Sequence, residues 1–187
     1  MNEFHLQMLS SPRWAQMLES DLLPWVDSVT DLGDDVIEVG PGPGLTTGLL
    51  RKRTARLTAV EIDPALARAL ADRLAGTNVE VVTGSAAATE FPADRFTGAA
   101  CFGVLHHVPT PAGQDQVFGE LFRVLRPGGT LVASDAHDDE GTRRHHDDDV
   151  FVPLDPQTLP ARLGAAGFIS IHVDRSGYDL RFHARKP

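Results

Sequence analysis

Three things are scarce in this chain, and each scarcity excludes a class of protein. Cysteine occurs once in 187 residues, at Cys101, so an internal disulfide and a multi-thiolate zinc site are both excluded and the chain suits a reducing compartment. Basic residues are outnumbered, 17 Lys plus Arg against 26 Asp plus Glu, for a formal net charge of −9. A surface of that sign repels polyanions and argues against partnership with nucleic acid or an anionic membrane. Long apolar runs are missing: none approaches the ~18 residues of a membrane span. The opening MNEFHLQMLS has no basic stretch followed by an apolar one, so a cytoplasmic protein is expected. What is present is a globular balance of 42% hydrophobic and 23% charged residues with 13 prolines. That is enough to bury one core, and a single domain over 1–187 is expected.

Ser10-Ser11-Pro12 reads as a cap followed by proline in a first helical turn. Trp14, Met17, Leu18, Leu22, Trp25 and Val26 then recur at spacings of three and four. The pattern predicts a helical arm within residues 1–32, bent or broken near Pro24. From residue 35 the signal changes. Asp35 to Val39 is a short β-branched strand that enters Gly40-Pro41-Gly42-Pro43-Gly44, and Leu45 to Arg53 looks helical. Further strands are predicted at 57–62, 78–82, 96–102 and 130–134, with helices over 65–74 and 115–125. Asp63-Pro64 supplies a cap and a first-turn proline for the helix at 65. Alternation of strands and helices implies a mainly parallel sheet covered on both faces, because parallel strands need crossover connections. The last thirty residues differ: a helix over 156–166 closed by Gly167, then strands at 168–173 and 180–184 with Gly177 between them, predict an antiparallel hairpin.

A glycine turn between a first strand and its helix lets a ligand approach the backbone, since side chains would block it. Glu61 sharpens the reading. It lies 21 residues after Gly40 at the end of the second strand, where an acid accepts hydrogen bonds from ribose hydroxyls. A dinucleotide fingerprint G-x-G-x-x-G would need a third glycine where Leu45 stands. The motif is instead Glu38-x-Gly40-x-Gly42-x-Gly44, with an acid two residues before the first glycine.

That motif resembles the first motif of class I S-adenosylmethionine-dependent methyltransferases, and the resemblance runs from about residue 33 to 187. Val60-Glu61-Ile62-Asp63-Pro64 is similar to the family's second-strand motif, in which the acid holds the ribose and the next residue flanks the adenine. Val82-Thr83-Gly84-Ser85-Ala86 resembles its G-D-A segment, Gly103 to Val108 its L-H-H-V element, and Leu121 to Thr130 its R-V-L-R-P-G-G turn. The C-terminal Leu154-Asp155-Pro156 and Ala165-Ala166-Gly167-Phe168 resemble small-molecule members, including the group with quinone C-methyltransferases. The resemblance implies an α/β, Rossmann-like, doubly wound sheet of seven mostly parallel strands with an antiparallel C-terminal hairpin. It implies S-adenosyl-L-methionine as cofactor, bound by Glu38, Gly40, Gly42, Gly44, Glu61, Ile62, Ser85, Ala86 and Phe102.

Two departures stand out. Ser85 replaces the Asp that reads the adenine amino group, so a neutral hydroxyl takes that place. Thr97 replaces an Asp common after the fourth strand begins, and Cys101-Phe102-Gly103-Val104 stands where enzymes that methylate nucleic-acid amino groups carry Asn/Asp-Pro-Pro-aromatic. A small-molecule acceptor is therefore expected. Its walls would be the arm and the segment 136–153, between a cofactor core over 33–135 and a C-terminal unit over 154–187. His106 and His107 lie nearest to the site by position, but packing or local capping accounts for them and no catalytic residue is assigned. The acidic, histidine-rich run His137 to Asp149 reads as a solvated loop rather than a metal site, since consecutive acids seldom converge on one ion. Cys101 reads as a small buried residue. The rival functions are a cofactor-binding protein without catalysis and a nicotinamide-dependent oxidoreductase.

Overall fold

The computed structural model describes residues 7–146, 149–175 and 179–187. It opens on the helical arm: α1 (Pro12–Met17), a π-helical turn (Leu18–Leu22) and α2 (Leu23–Val29). The Ser11 hydroxyl accepts from the Trp14 N–H and caps α1. Pro24 stands in the first turn of α2 and has no N–H to give. The helix is not broken there. The chain widens by one residue just before the proline, so that the Leu23 N–H bonds to the Leu18 carbonyl, and the arm continues.

Seven strands form one sheet among the described residues: β1 (Asp35–Val39), β2 (Arg56–Glu61), β3 (Val79–Thr83), β4 (Phe96–Phe102), β5 (Leu125–Ala136), β6 (Ile169–Asp174) and β7 (Asp179–Arg185). Their spatial order is β3-β2-β1-β4-β5-β7-β6. The first five pair in parallel, whereas β7 pairs antiparallel with both β5 and β6. The helices are α3 (Leu45–Leu50), α4 (Pro64–Arg73), α5 (Pro111–Val124), α6 (Glu140–His145) and α7 (Leu159–Ala165). The doubly wound sheet and antiparallel end agree with the sequence reading. Gly177, assigned to the hairpin link, lies outside the described residues. No helix among those described is long and apolar enough to cross a membrane.

Alternate residues of the central strands feed two cores, as the period of a strand requires. Ile37, Val39, Ala99, Cys101, Leu131 and Ala133 pack with Phe118 and Leu121 of α5 and Leu163 of α7. Val36, Leu57, Ala100 and Val132 pack with Leu23 and Val26 of the arm and Leu50 of α3. Cys101 is fully buried, and burial pushes its thiol well above the ordinary cysteine value. Thr97 serves the fold: its hydroxyl lies 2.6 Å from the Leu32 carbonyl and 2.9 Å from that of Asp35, and accepts from the Asp35 N–H at 3.1 Å. It ties the connection from the arm to β4.

Two element ends differ from expectation. Helix α5 begins at Pro111 rather than near 115, capped by the Thr110 hydroxyl on the Gly113 N–H. Strand β5 begins at Leu125, since the Gly128 N–H donates to the Lys186 carbonyl and the Lys186 N–H donates to the Gly129 carbonyl, which keeps the R-P-G-G turn extended beside β7.

Candidate active site

The chain leaves β1 for β2 and β3 on one side and returns to β4 on the other. Loops from the carboxyl ends of β1 and β4 therefore diverge, and open α/β sheets bind ligands in that crevice. Gly40, Gly42 and Gly44 line its β1 side with φ of 64°, 53° and 74°, values that L side chains resist. Space is short as well. A Cβ on Gly40 would stand 2.2 Å from Val104 Cγ2, and one on Gly44 would stand 2.3 Å from Leu70 Cδ1.

Glu61, at the end of β2, is buried and reaches across to this loop. Its Oε2 accepts from the Gly42 N–H at 2.9 Å, and Oε1 accepts from the Asp63 N–H at 3.0 Å. The acid thus braces the glycine turn. A carboxylate offers about four acceptor positions, so two remain for ribose hydroxyls.

Glu38 lies deeper, 1% exposed. Its Oε1 accepts from the Thr46 hydroxyl, and its Oε2 is buried without a hydrogen bond of good geometry. Burial pushes the carboxyl up to about 7; the Thr46 and Thr47 hydroxyls favour the charged form, and the neighbouring charge of Glu61 opposes it. A buried acid with an unsatisfied oxygen costs free energy that a cationic ligand would return.

The remaining predicted residues stand at the carboxyl ends of β2, β3 and β4. Ile62 follows Glu61 and is 72% exposed, a bare apolar surface at a strand end. Gly84 bonds to the Glu61 carbonyl, and its Cα faces open space. The Ser85 hydroxyl accepts from the Ala87 N–H at 3.2 Å, so it also shapes its own turn, and Ala86 packs against the larger core. Phe102, the last residue of β4, packs on the cluster beneath the arm. Glu38's Oε2, the remaining acceptor positions of Glu61, the exposed Ile62 and the open ground above Gly84 fit S-adenosylmethionine.

Two residues that the sequence reading did not single out complete the β4–β5 side. Asp135, 2% exposed at the end of β5, accepts from the Leu105 N–H at 2.9 Å, the Ala136 N–H at 2.8 Å and the ring of His106, whose Nδ1 lies 2.5 Å away. An acid closing an apolar parallel strand was the available signal, the same one that marked Glu61. The other is His146. Among the described residues of the run 137–149, Asp139 caps α6 by accepting from the Thr142 N–H, and His146 after it is buried, donating from Nδ1 to the Thr142 carbonyl at 2.7 Å. Burial lowers the pKa of its imidazole. Its ring centroid lies 4.8 Å from that of His106 and 5.4 Å from that of His107.

A model of the methyltransferase domain family matches residues 37–133, more than half of the chain. The chain belongs to this family, the class I S-adenosylmethionine-dependent methyltransferases. Among curated relatives, the ubiquinone biosynthesis O-methyltransferase of Pseudomonas fluorescens is 35% identical over 115 residues, covering 59% of this chain and 48% of that protein. The probable ribosomal RNA small subunit methyltransferase A of Pyrobaculum islandicum is 38% identical over 82 residues, 43% of this chain and 34% of that one. The chain spans about half or less of the length of these relatives. A protein of Pyrococcus horikoshii OT3 of known crystal structure superposes over 100% of both chains with a TM-score of 0.84 at 18% identity, a likeness of fold.

Proposed function

We propose that the protein transfers a methyl group from S-adenosylmethionine to a small-molecule acceptor. The observation that carries this reading is Glu61, which holds the glycine turn from the end of β2 while facing the crevice beside β1. Bound there, S-adenosylmethionine supplies an electrophilic methyl group on a sulfonium, a leaving group that needs alignment more than activation. In this reading Glu61 accepts from the ribose hydroxyls. Ile62 lies along the adenine, and Ser85 with Ala86 borders its edge. Glu38 supports the methionine end behind the three glycines, and Phe102 closes the arm side. Alignment and exclusion of water then supply most of the rate, which agrees with assigning no catalytic base.

A small acceptor is favoured over RNA by two features. The net charge of −9 gives no electrostatic footprint for a phosphate backbone. The sequence Cys101-Phe102-Gly103-Val104 lacks the motif that presents a nucleobase amino group. The partial relation to a ubiquinone biosynthesis O-methyltransferase is consistent with this choice. An open surface depression of about 410 Å³ lies beyond β5, lined by His137, Asp138, Leu154, Pro156, Arg175 and Leu180. It abuts the segment assigned to the acceptor wall.

Calorimetric titration of the purified protein with S-adenosylmethionine, S-adenosylhomocysteine, NAD and NADP tests the cofactor half of the proposal. Micromolar binding of the two sulfur compounds, lost in Glu61→Ala, is expected; binding of NAD alone would support the oxidoreductase instead. Transfer of labelled methyl to a phenol, amine or carbon-acid panel, with total RNA as comparison, tests the acceptor half. Labelling of RNA alone would overturn the small-molecule reading.

A further inference from the structure

The three imidazoles at the ends of β4 and β5 come from two places 39 or more residues apart in sequence, a 3-10 turn at Leu105–His107 and the segment after α6. One ring nitrogen of each of His106, His107 and His146 lies within 4.8 Å of the others. The turn that carries the first two is firmly held. Asp135 accepts the Leu105 N–H, Gln114 Nε2 donates to the Leu105 carbonyl at 3.1 Å, and the Val152 N–H donates to the His106 carbonyl at 2.8 Å.

The proton positions follow from the partners. His106 Nδ1 faces a carboxylate that already accepts two backbone N–H groups, and His146 Nδ1 faces a carbonyl that can only accept. Both rings therefore carry their proton on Nδ1 and present the lone pair of Nε2, the form in which imidazole binds a metal. An Asp–His pair behind a ligating nitrogen is the usual support of a metal-bound histidine, fixing tautomer and orientation and raising ligand basicity.

We propose that His106, His107 and His146 form a site for a divalent transition metal of the zinc class. Metal–nitrogen bonds of about 2.0 to 2.1 Å place tetrahedral nitrogens roughly 3.4 Å apart, so small ring rotations about Cα–Cβ close the site. Three imidazoles favour zinc, cobalt or nickel over magnesium or calcium, which take oxygen ligands. They also leave one tetrahedral position for water or an oxygen of a bound molecule, as in open rather than closed zinc sites. Binding would fasten the segment beyond α6 to the end of β4. The site does not depend on methyl transfer.

The test uses the full chain without a polyhistidine tag, stripped with chelator and titrated with Zn²⁺ and Co²⁺ in the absence of any methyl donor. One equivalent of metal is expected, with visible absorption of four- or five-coordinate Co²⁺ that excess Zn²⁺ abolishes. His146→Ala and His107→Ala, each shown to be folded by circular dichroism, should lose at least 100-fold in affinity. Asp135→Asn should lose 10- to 100-fold, and His145→Ala should bind as the unsubstituted chain does. Uptake below one equivalent, a Co²⁺ spectrum like that of the hydrated ion, or unchanged affinity in His146→Ala and His107→Ala would overturn the site. Donor binding, measured separately, reports on the proposed methyl transfer and on nothing in this test.

Discussion

Glu38 shows how one residue links burial to ligand charge. Its folded carboxyl titrates near 7 against an ordinary 4.5 because burial disfavours the anion. The sign follows from proton uptake. Between these values the folded chain holds a proton that the unfolded chain has lost, so this stabilisation is full below pH 4.5 and is lost as pH rises through about 7. Urea unfolding of the ligand-free protein should show Glu38→Gln gaining stability over the unsubstituted chain at pH 8, by up to about 3 kcal/mol, and little at pH 4. A cationic donor beside this carboxyl draws the proton off. Affinity for S-adenosylmethionine should therefore rise from pH 6 to pH 8, and Glu38→Gln should flatten that rise. Two glycines make a second contrast. Gly40→Ala meets Val104 at a φ of 64° and should lose about 1 to 3 kcal/mol of stability together with donor binding. Gly48, inside α3 with nothing near its Cα substituent, should gain about 0.5 to 1 kcal/mol on mutation to Ala. Thermal melts of the pair read both signs.

Elements meet at the site through polar clamps as well as cores. Glu120 of α5 accepts from the Thr89 N–H and hydroxyl and takes both arms of the Arg123 fork. The Arg123 bond comes first among the causes that hold its carboxyl down to about 2. This clamp fastens the stretch that follows Ser85 and Ala86 to α5. Glu120→Gln should cost about 1 to 2 kcal/mol at neutral pH. Because the folded value is depressed, that difference should be present above pH 4.5 and fade as pH falls toward 2. A small loss of donor affinity is expected with it, since the turn proposed to border the adenine loses its tether. Two helix starts were legible in the sequence from a cap followed by a proline, at Ser11-Pro12 and Asp63-Pro64, whereas the same signal at Thr110-Pro111 was passed over. The π-helical turn was not legible, because nothing in Leu18 to Leu22 distinguishes a helix that breaks before Pro24 from one that widens. The widening is chosen by burial: Leu18 and Leu22 before the proline and Leu23 beside it all reach the core.

At the scale of the whole molecule, cofactor binding and folding are one equilibrium. S-adenosylmethionine at 100 times its dissociation constant should stabilise the native state by about 2.7 kcal/mol, a rise of about 5 to 10 °C in melting temperature for a chain of this size. Scanning calorimetry with S-adenosylmethionine, and with NAD as comparison, checks this. The class of fold could be read from the chain alone, and so could the groups proposed to hold the donor, since both depend on local signals. A strand period, a glycine turn and an acid closing the next strand occupy neighbouring residues, and the sheet order then brings them together without further choice. The histidine cluster could not be read that way. His146 lies 39 residues beyond His107, and its ring comes near the two histidines after β4 only because β5 runs beside β4, where Asp135 also meets His106, and α6 follows β5. Each of those contacts is long in sequence and short in space, so the sequence determined which groups were available and tertiary packing decided which of them meet.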